Sequence, residues 1–228
     1  TSSSLFIFAD KAYLYTTAYT QHASNREVVM GNKETKYRIL AFDPGIQNTG
    51  WSLLEGTVGG SVLTVLKMGE IHPGMTAERA AYREQVEKYD KRVISLSLLR
   101  EELTKILLDT KPDFVCSEDI YISMFRPQAY GSLAMWVCTA KMTTYDVAQK
   151  KFFLITTKQA KKCLSGSGSS GKIGVQAAVV ACKKIQFKNE DDKMHFTEHE
   201  ADSIAVGVAF NEVNRDYIHA TLVAEGRL

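Results

Sequence analysis

Hydrophobic and polar positions follow two different periods along the chain, and the points where the period changes mark the predicted elements. Three short apolar stretches, 37–42, 50–55 and 61–67, are separated by turn-forming residues and predict three consecutive antiparallel strands. A pattern that repeats every three or four residues then covers 86–107. This pattern predicts one long helix, which Pro112 ends.

The second half of the chain alternates short apolar stretches with helical patterns. Residues 113–118 and 152–155 predict two more strands, and helices are expected to begin at Pro127 and near Val175 and Thr197. The predicted order is therefore three strands, then helix, strand, helix, strand and two helices. This order is typical of an α/β fold with a five-stranded mixed sheet flanked by helices.

Residues 1–36 have no readable pattern, because an aromatic stretch is followed by polar residues without periodicity. We expect an N-terminal appendage here, polar enough to be partly disordered, and a single domain over residues 37–228. The first residues contain neither a basic segment nor a long apolar run. No secretory signal is therefore expected.

Composition narrows the class of protein without identifying a function. The hydrophobic fraction of 45% and the charged fraction of 24% are typical of a globular domain. No apolar run approaches the length of a membrane span, so no membrane association is expected. The four cysteines are widely spaced and include no CxxC pair, which favours reduced thiols in an intracellular protein; cytoplasm, organelle and virus-infected cell all remain open.

Positive charge is concentrated in one part of the chain. The net charge is only +2, yet residues 141–189 contain ten lysines and a single acid, Asp146. Such a block is often a solvated face, and it is also typical of a surface that binds a polyanion.

Two acidic residues stand at the ends of predicted strands. Asp43 ends the first strand and is followed by Pro-Gly, so it is either a turn-forming aspartate or a site residue beside small groups and backbone amides. Glu118 ends the buried stretch 113–118, where an unpaired charge is costly. It either emerges into solvent or binds a cation, and Asp119 points to the other side of the strand.

A third signature opens the last predicted helix. His199 and Asp202 are three residues apart and therefore share one helix face. Thr197 and Glu200 form the pattern of a capping box, which explains Glu200 without a site. A histidine alone is more often structural than a ligand, but its pairing with Asp202 favours a site.

These four side chains predict a divalent-metal site. Three carboxylates and one imidazole at one point repel one another unless cations are present, and oxygen-rich donor sets suit Mg²⁺ or Mn²⁺. Two such ions can activate a water molecule and stabilise the leaving oxygen of a phosphodiester.

The residues together resemble the RuvC-type Holliday junction resolvases of the RNase H-like superfamily, over roughly residues 37–211. Asp43 to Gly50 is similar to the family's Asp-Pro-Gly-x-x-x-x-Gly turn, Glu118 to its strand-ending glutamate, and His199-x-x-Asp202 to its last helix. The stretch 161–176, with Lys161, Lys172 and a Gly-Ser run at 166–171, is similar to the family's lysine-bearing loop. The run itself also fits an inert linker.

The resemblance implies a metal-dependent crossover junction endodeoxyribonuclease, acting in DNA recombination and repair, that cuts four-way DNA junctions as a homodimer. It implies that Asp43, Glu118, His199 and Asp202 bind two Mg²⁺ ions (or Mn²⁺), and that Lys172 assists them. Contacts to branched DNA are expected from the following lysines and aromatic residues: Lys158, Lys161, Lys162, Lys172, Phe125 and Tyr130. The alternatives are an RNase H-like nuclease acting on RNA/DNA hybrids or flaps, and a catalytically silent nucleic-acid-binding module.

Overall fold

The computed structural model describes residues 34–120, 127–165 and 172–228. The appendage expected at residues 1–36 therefore lies almost wholly outside the described residues. Its last residue, Lys36, is the first residue of the first strand.

The described chain forms a mixed sheet of six strands in the order β5-β4-β1-β2-β3-β6. The first three strands are antiparallel to one another, whereas β4 pairs in parallel with β1, β5 with β4 and β6 with β3. The strands are β1 Lys36–Asp43, β2 Thr49–Thr57, β3 Leu63–Ile71, β4 Phe114–Glu118, β5 Phe152–Ile155 and β6 Ile185–Phe187.

The predicted α/β class and mixed sheet are confirmed, but the predicted count of five strands is wrong. The sixth strand, β6, has three residues, of which the first and last are buried and the middle one is exposed. Three residues are too few to produce an alternating pattern that stands out from the flanking loops. The antiparallel meander of β1, β2 and β3 matches the prediction.

Helices cover both faces of the sheet. The α-helices are α1 Pro73–Ala77, α2 Arg83–Tyr89, α3 Lys91–Thr110, α4 Pro127–Ala148, α5 Thr157–Ser165, α6 Lys172–Ala181, α7 Glu198–Val213 and α8 Arg215–Ala224. Two short 3-10 helices lie at Ala80–Tyr82 and Glu190–Met194. The sequence did not predict α5 or α8. No helix in the three described ranges has the length and apolarity to cross a bilayer.

The single long helix expected over 86–107 is two helices, α2 and α3, separated at Asp90. Asp90 has a φ of 77°, which ends α2, and its side chain accepts a hydrogen bond from the Arg92 backbone amide at 2.7 Å, which caps α3. The break shifts the buried face, so that Tyr89 and Val93 of the predicted stripe are both 52% exposed.

Two cores lie on opposite faces of the sheet. On one face, α3 and α4 pack on β1 and β4, with the fully buried Trp136 among them. On the other face, α7 lies across the central strands, and its residues from 203 to 211 are all buried. Helix α7 approaches closely because a Cβ on Gly207 would lie 2.4 Å from Leu54 Cδ1. The N-terminus of α7 is thereby held at the end of the sheet where β1 and β4 end.

Candidate active site

Acidic residues form a lateral row across four neighbouring strands. Asp43 of β1 lies opposite Gly50 of β2, and Gly50 lies opposite Glu70 of β3. On the other side, Phe42 is in register with Ser117, so the next residues are Asp43 and Glu118. Residues in register across a sheet project from the same face. Asp43, Glu118 and Glu70 therefore all project towards α7, and Gly50 leaves a gap in the row.

Helix α7 fills that gap with its first turn. A Cβ on Gly50 would lie 2.1 Å from the His199 carbonyl oxygen and 2.8 Å from His199 Cβ. Only glycine permits so close an approach of the two backbones. Residue 199 is therefore fixed directly above β2, between the strands that carry Asp43 and Glu70.

The first direct contact at the site joins β1 to α7. His199 Nδ1 lies 2.7 Å from Asp43 Oδ2, and the Asp43 side chain is only 11% exposed. The hydrogen bond to Asp43 raises the pKa of His199 above its usual value of 6.5, against the opposing effect of burial. The contact with Asp43 therefore favours the protonated imidazole ring.

Glu118 is held beside Asp43 as a carboxyl group that retains its proton unusually well. The pKa of Glu118 is raised to about 7, chiefly by burial and also by the nearby negative charges of Asp43 and Asp202, while a hydrogen bond from Thr157 opposes the shift. A side-chain hydrogen bond between Glu118 and Asp43 adds to the raised pKa. The predicted pair is thus brought together.

Asp202 lies one turn along α7 from His199 and faces the same acids. The pKa of Asp202 is raised to about 6, mainly by burial and also by the negative charges of Asp43 and Glu198. The positive charges of Lys161 and His199 oppose the shift. Glu118, Asp202, Glu198 and Lys161 line a cleft of about 190 Å³ between α5, α6 and α7. The cleft gives the acidic row an opening to solvent.

Side-chain hydrogen bonds of Trp136 and Thr49 fix the turn between β1 and β2. Trp136 Nε1 donates a hydrogen bond of 2.9 Å to Thr49 Oγ1, and the Thr49 hydroxyl donates one of 2.6 Å to the Gly45 carbonyl oxygen. A Cβ on Gly45 would lie 2.0 Å from the Asn48 carbonyl oxygen, so the turn requires glycine there. Sequence patterning places Trp136 on a helix but gives no indication of its contact with this turn.

The capping box predicted at the start of α7 is present. The Thr197 hydroxyl accepts from the Glu200 amide at 3.2 Å, and the Glu200 carboxylate accepts from the Thr197 amide at 2.7 Å. Glu200 is thereby committed to the helix cap, as expected from the sequence. The cap fixes the first turn of α7 and with it the direction of His199 and Asp202.

The donor set suits divalent cations, although no complete ion site is preformed. In the described ranges, no group of three or more His, Cys, Asp or Glu side chains has the arrangement of a metal site. Burial of Glu118 and the hydrogen bond between His199 and Asp43 favour the protonated forms of Glu118 and His199. Three partly buried carboxylates repel one another once deprotonated, and with a neutral imidazole nitrogen beside them they fit hard divalent ions of the Mg²⁺ class.

These shifts predict that the metal-free protein loses stability as the pH rises. Folding raises the pKa values of Glu118 and Asp202 above their ordinary values, so the folded chain holds protons that the unfolded chain releases. His199 acts in the same direction, because its stabilising charge is lost above its raised pKa. With a chelator present, we expect the free energy of unfolding in urea to fall by about 3 kcal/mol between pH 5 and pH 8. Saturating Mg²⁺ should flatten this dependence; a pH-independent value without metal would contradict the shifts.

The predicted DNA contacts are distributed unevenly around the cleft. Lys161 lines the cleft itself, whereas Lys158 and Lys162 lie on exposed positions of α5. Tyr130 is 37% exposed near the start of α4. Lys172 is the first residue of α6, but its side chain is outside the described residues, and so is Phe125.

Two residues near the site escaped sequence reasoning. Glu70 belongs to no recognisable sequence motif, and only the register of β2 and β3 shows that it belongs to the acidic row. Thr157 begins a helix that was not predicted, and it contacts Glu118. The sequence signal for Thr157 was its position just after β5, the strand that pairs in parallel with β4 and ends beside Glu118.

Comparison with known proteins gives sequence relatives of one kind, although no family model matches the chain. RuvC crossover junction endodeoxyribonuclease of Borrelia turicatae is 25% identical over 173 residues, which are 75% of this chain and 93% of that protein. The RuvC protein of Methylorubrum extorquens strain PA1 is 28% identical over 179 residues, which are 76% of this chain and 79% of that protein.

Solved structures of related resolvases have the same fold. Thermus thermophilus RuvC in complex with a Holliday junction substrate superposes with a TM-score of 0.61 at 16% identity, covering 79% of this chain and 96% of that one. The yeast mitochondrial Holliday junction resolvase Ydc2 superposes with a TM-score of 0.53 at 13% identity, covering 82% and 85%. The resemblance read from the motifs is thus confirmed: this chain is a sequence relative of the RuvC-type resolvases and has their RNase H-like fold.

Proposed function

We propose that this protein is a structure-selective endonuclease that resolves four-way DNA junctions. The observation that carries the proposal is the meeting of Asp43, Glu118, His199 and Asp202 at one end of the sheet. The RuvC relatives have names that specify crossover junction cleavage, and one solved RuvC structure contains a junction substrate. Shared fold alone would not specify the substrate, so the acidic site and the sequence similarity are both needed.

We propose that the four side chains hold two Mg²⁺ ions, for which Mn²⁺ can substitute. When bound, the ions would supply an activated water molecule and charge stabilisation for the leaving 3′ oxygen. The protein's own contribution is to aim the donors: the strand ends fix Asp43 and Glu118, and the capped first turn of α7 fixes His199 and Asp202. Binding of divalent cations would require these groups to be deprotonated.

Lysines around the cleft would neutralise the phosphates of the DNA. Lys161 lies at the cleft beside Asp202, and Lys158 and Lys162 extend the positive surface along α5. Lys172 belongs to the same set by its position at the start of α6. Contacts of this kind make binding strongly dependent on salt. Tyr130, and Phe125 by sequence, would stack on unpaired bases at the junction.

A gel-based cleavage assay tests the proposal directly. A synthetic four-way junction, labelled in turn on each strand, is incubated with protein and Mg²⁺, and parallel reactions contain a chelator, an RNA/DNA hybrid or a flap. Paired cuts at symmetric positions, only on the junction and only with the ion, are expected. Preferential cutting of the hybrid or the flap, or tight binding without cleavage under any divalent ion, would overturn the proposal.

We further propose that the protein acts as a two-fold symmetric homodimer through α4, because two symmetric cuts require two sites. One face of α4 carries a stripe of apolar or small residues at alternating spacings of four and three: Gly131, Met135, Cys138, Met142 and Tyr145. Met142 is 58% exposed and Tyr145 is 64% exposed. A stripe with this spacing is typical of a helix that packs against a second helix, and a second copy of α4 supplies the matching surface.

Met142→Glu should therefore weaken the dimer. A carboxylate in the centre of the stripe would be buried beside its own copy across the two-fold axis, which is costly for both charges. We expect the dimer Kd from sedimentation equilibrium to rise at least tenfold, and single-nicked junctions to accumulate. Met194→Glu is the matched control, because Met194 is 75% exposed but lies away from α4. An unchanged Kd for Met142→Glu would remove α4 from the interface.

A further inference from the structure

Glu70 is a largely buried carboxylate near the site, and it is not one of the four proposed metal ligands. Its side chain is 16% exposed, and it projects from β3 on the same face as Asp43. Within the described residues its one polar contact is His72 Nε2 at 3.7 Å from Glu70 Oε2, which is beyond hydrogen-bond range. A carboxylate that is largely removed from water normally has a hydrogen-bond donor. Among the described residues, Glu70 therefore has no hydrogen-bond donor within range.

The row geometry places His199 next to Glu70. Gly50 separates Asp43 from Glu70 in the row, and the backbone of residue 199 lies directly on Gly50. The His199 backbone therefore lies over β2, between the strands that carry the Asp43 and Glu70 carboxylates. The Nδ1 atom of its ring faces Asp43.

His72 is the competing partner of Glu70, but its own contact points elsewhere. His72 Nδ1 lies 2.9 Å from the Asn48 side-chain oxygen, so this ring connects β3 to the turn after β1. Its side chain is 43% exposed, and water can satisfy the remaining nitrogen. The hydrogen bond of His72 is therefore to Asn48 and not to Glu70.

We propose that Glu70 is a positioning residue for His199, a role that rests on the proposed metal-dependent nuclease site. If a cation bound the Asp43 carboxylate, that carboxylate would no longer hold the imidazole alone, and Glu70 would be placed to accept a hydrogen bond from a ring N–H of His199. Histidine ligands of metals almost always donate their other ring N–H to such a group, which fixes the tautomer and the ring orientation. The row thus contains a supporting acid for His199, two strands away from Asp43.

The test measures binding of Mn²⁺ alone, without DNA, by titration calorimetry. Glu70→Gln keeps the size of the side chain and removes its charge, and we expect the Mn²⁺ affinity to fall by about 10- to 100-fold. Spectra of ¹⁵N-histidine-labelled, metal-free protein should show a lower pKa for His199, identified by its absence in His199→Gln. Junction binding in chelator should change less than about threefold, because no DNA contact is lost.

Two control variants separate this role from simpler ones. Glu101→Gln removes an equal charge from an exposed position on α3, on the opposite face of the sheet, and should leave Mn²⁺ affinity unchanged. His72→Gln should change the affinity less than about threefold; a loss equal to that of Glu70→Gln would overturn the proposal by placing His72 between the two. Normal Mn²⁺ affinity in Glu70→Gln overturns the inference alone. Failure of the unmodified protein to bind Mn²⁺ overturns the metal site as well.

Discussion

Asp43→Asn should lower the rate of junction cleavage by about a thousandfold or more while leaving junction binding within about tenfold. Asp43 lies at the centre of the acidic row, in contact with His199 and beside Glu118. The amide cannot supply the charge that holds a cation, and a loss of about 4 kcal/mol in transition-state stabilisation corresponds to this factor. Binding depends mainly on lysines and phosphates, which the substitution does not touch.

The measurement pairs single-turnover cleavage with a binding assay in chelator. Asp109→Asn is the matched control, since Asp109 is 62% exposed on α3 and pairs only with Lys67 among the described residues. It should cut at the normal rate. Normal cleavage by Asp43→Asn would show that the assigned residues are not the catalytic ones, whatever their proximity.

Gly50→Ala is expected to destabilise the fold and to abolish cleavage together. The added methyl group would lie 2.1 Å from the His199 carbonyl oxygen and 2.3 Å from its carbonyl carbon, and backbone atoms cannot move aside as a flexible side chain can. The first turn of α7 must then lift from the sheet, carrying His199 and Asp202 away from Asp43. We expect the free energy of unfolding to fall by about 3 kcal/mol, at the upper end of overpacking costs.

Urea unfolding and Mn²⁺ titration of this variant give independent readouts. Ser97→Ala is the control, because Ser97 is exposed on α3, on the opposite face of the sheet, and alanine is the better helix residue. It should be as stable as the unmodified protein or slightly more so. A Gly50→Ala variant with unchanged stability and metal affinity would mean that α7 does not rest on β2 as described.

Local sequence chemistry was sufficient to predict the parts of the site that lie on one element each. The strand ending at Asp43 is recognisable from its apolar run and its Pro-Gly turn, and the α7 cap from Thr197 and Glu200. His199 and Asp202 follow from helical spacing alone. Their proximity to Asp43 required the resemblance to a known family, because no local pattern encodes which strand a helix crosses.

What the sequence could not predict depends on register and long-range contact. Glu70 enters the row only because β2 and β3 pair Gly50 with it. Trp136 lies in the helix predicted from Pro127, but no local pattern indicates that its indole hydrogen-bonds to Thr49, 87 residues away in sequence. The break at Asp90 was hidden because the apolar periodicity continues across it, while the capping contact to Arg92 is visible only in three dimensions.

The central claim is that Asp43, Glu118, His199 and Asp202 share divalent ions at the end of the sheet, and anomalous diffraction from Mn²⁺ tests it most directly. Crystals of the protein with an uncleaved four-way junction would be soaked in Mn²⁺ and measured near the manganese edge. We predict two anomalous peaks within bonding distance of these four side chains. Peaks confined to other surfaces, with His199 still hydrogen-bonded to Asp43 and the acids empty, would contradict the account.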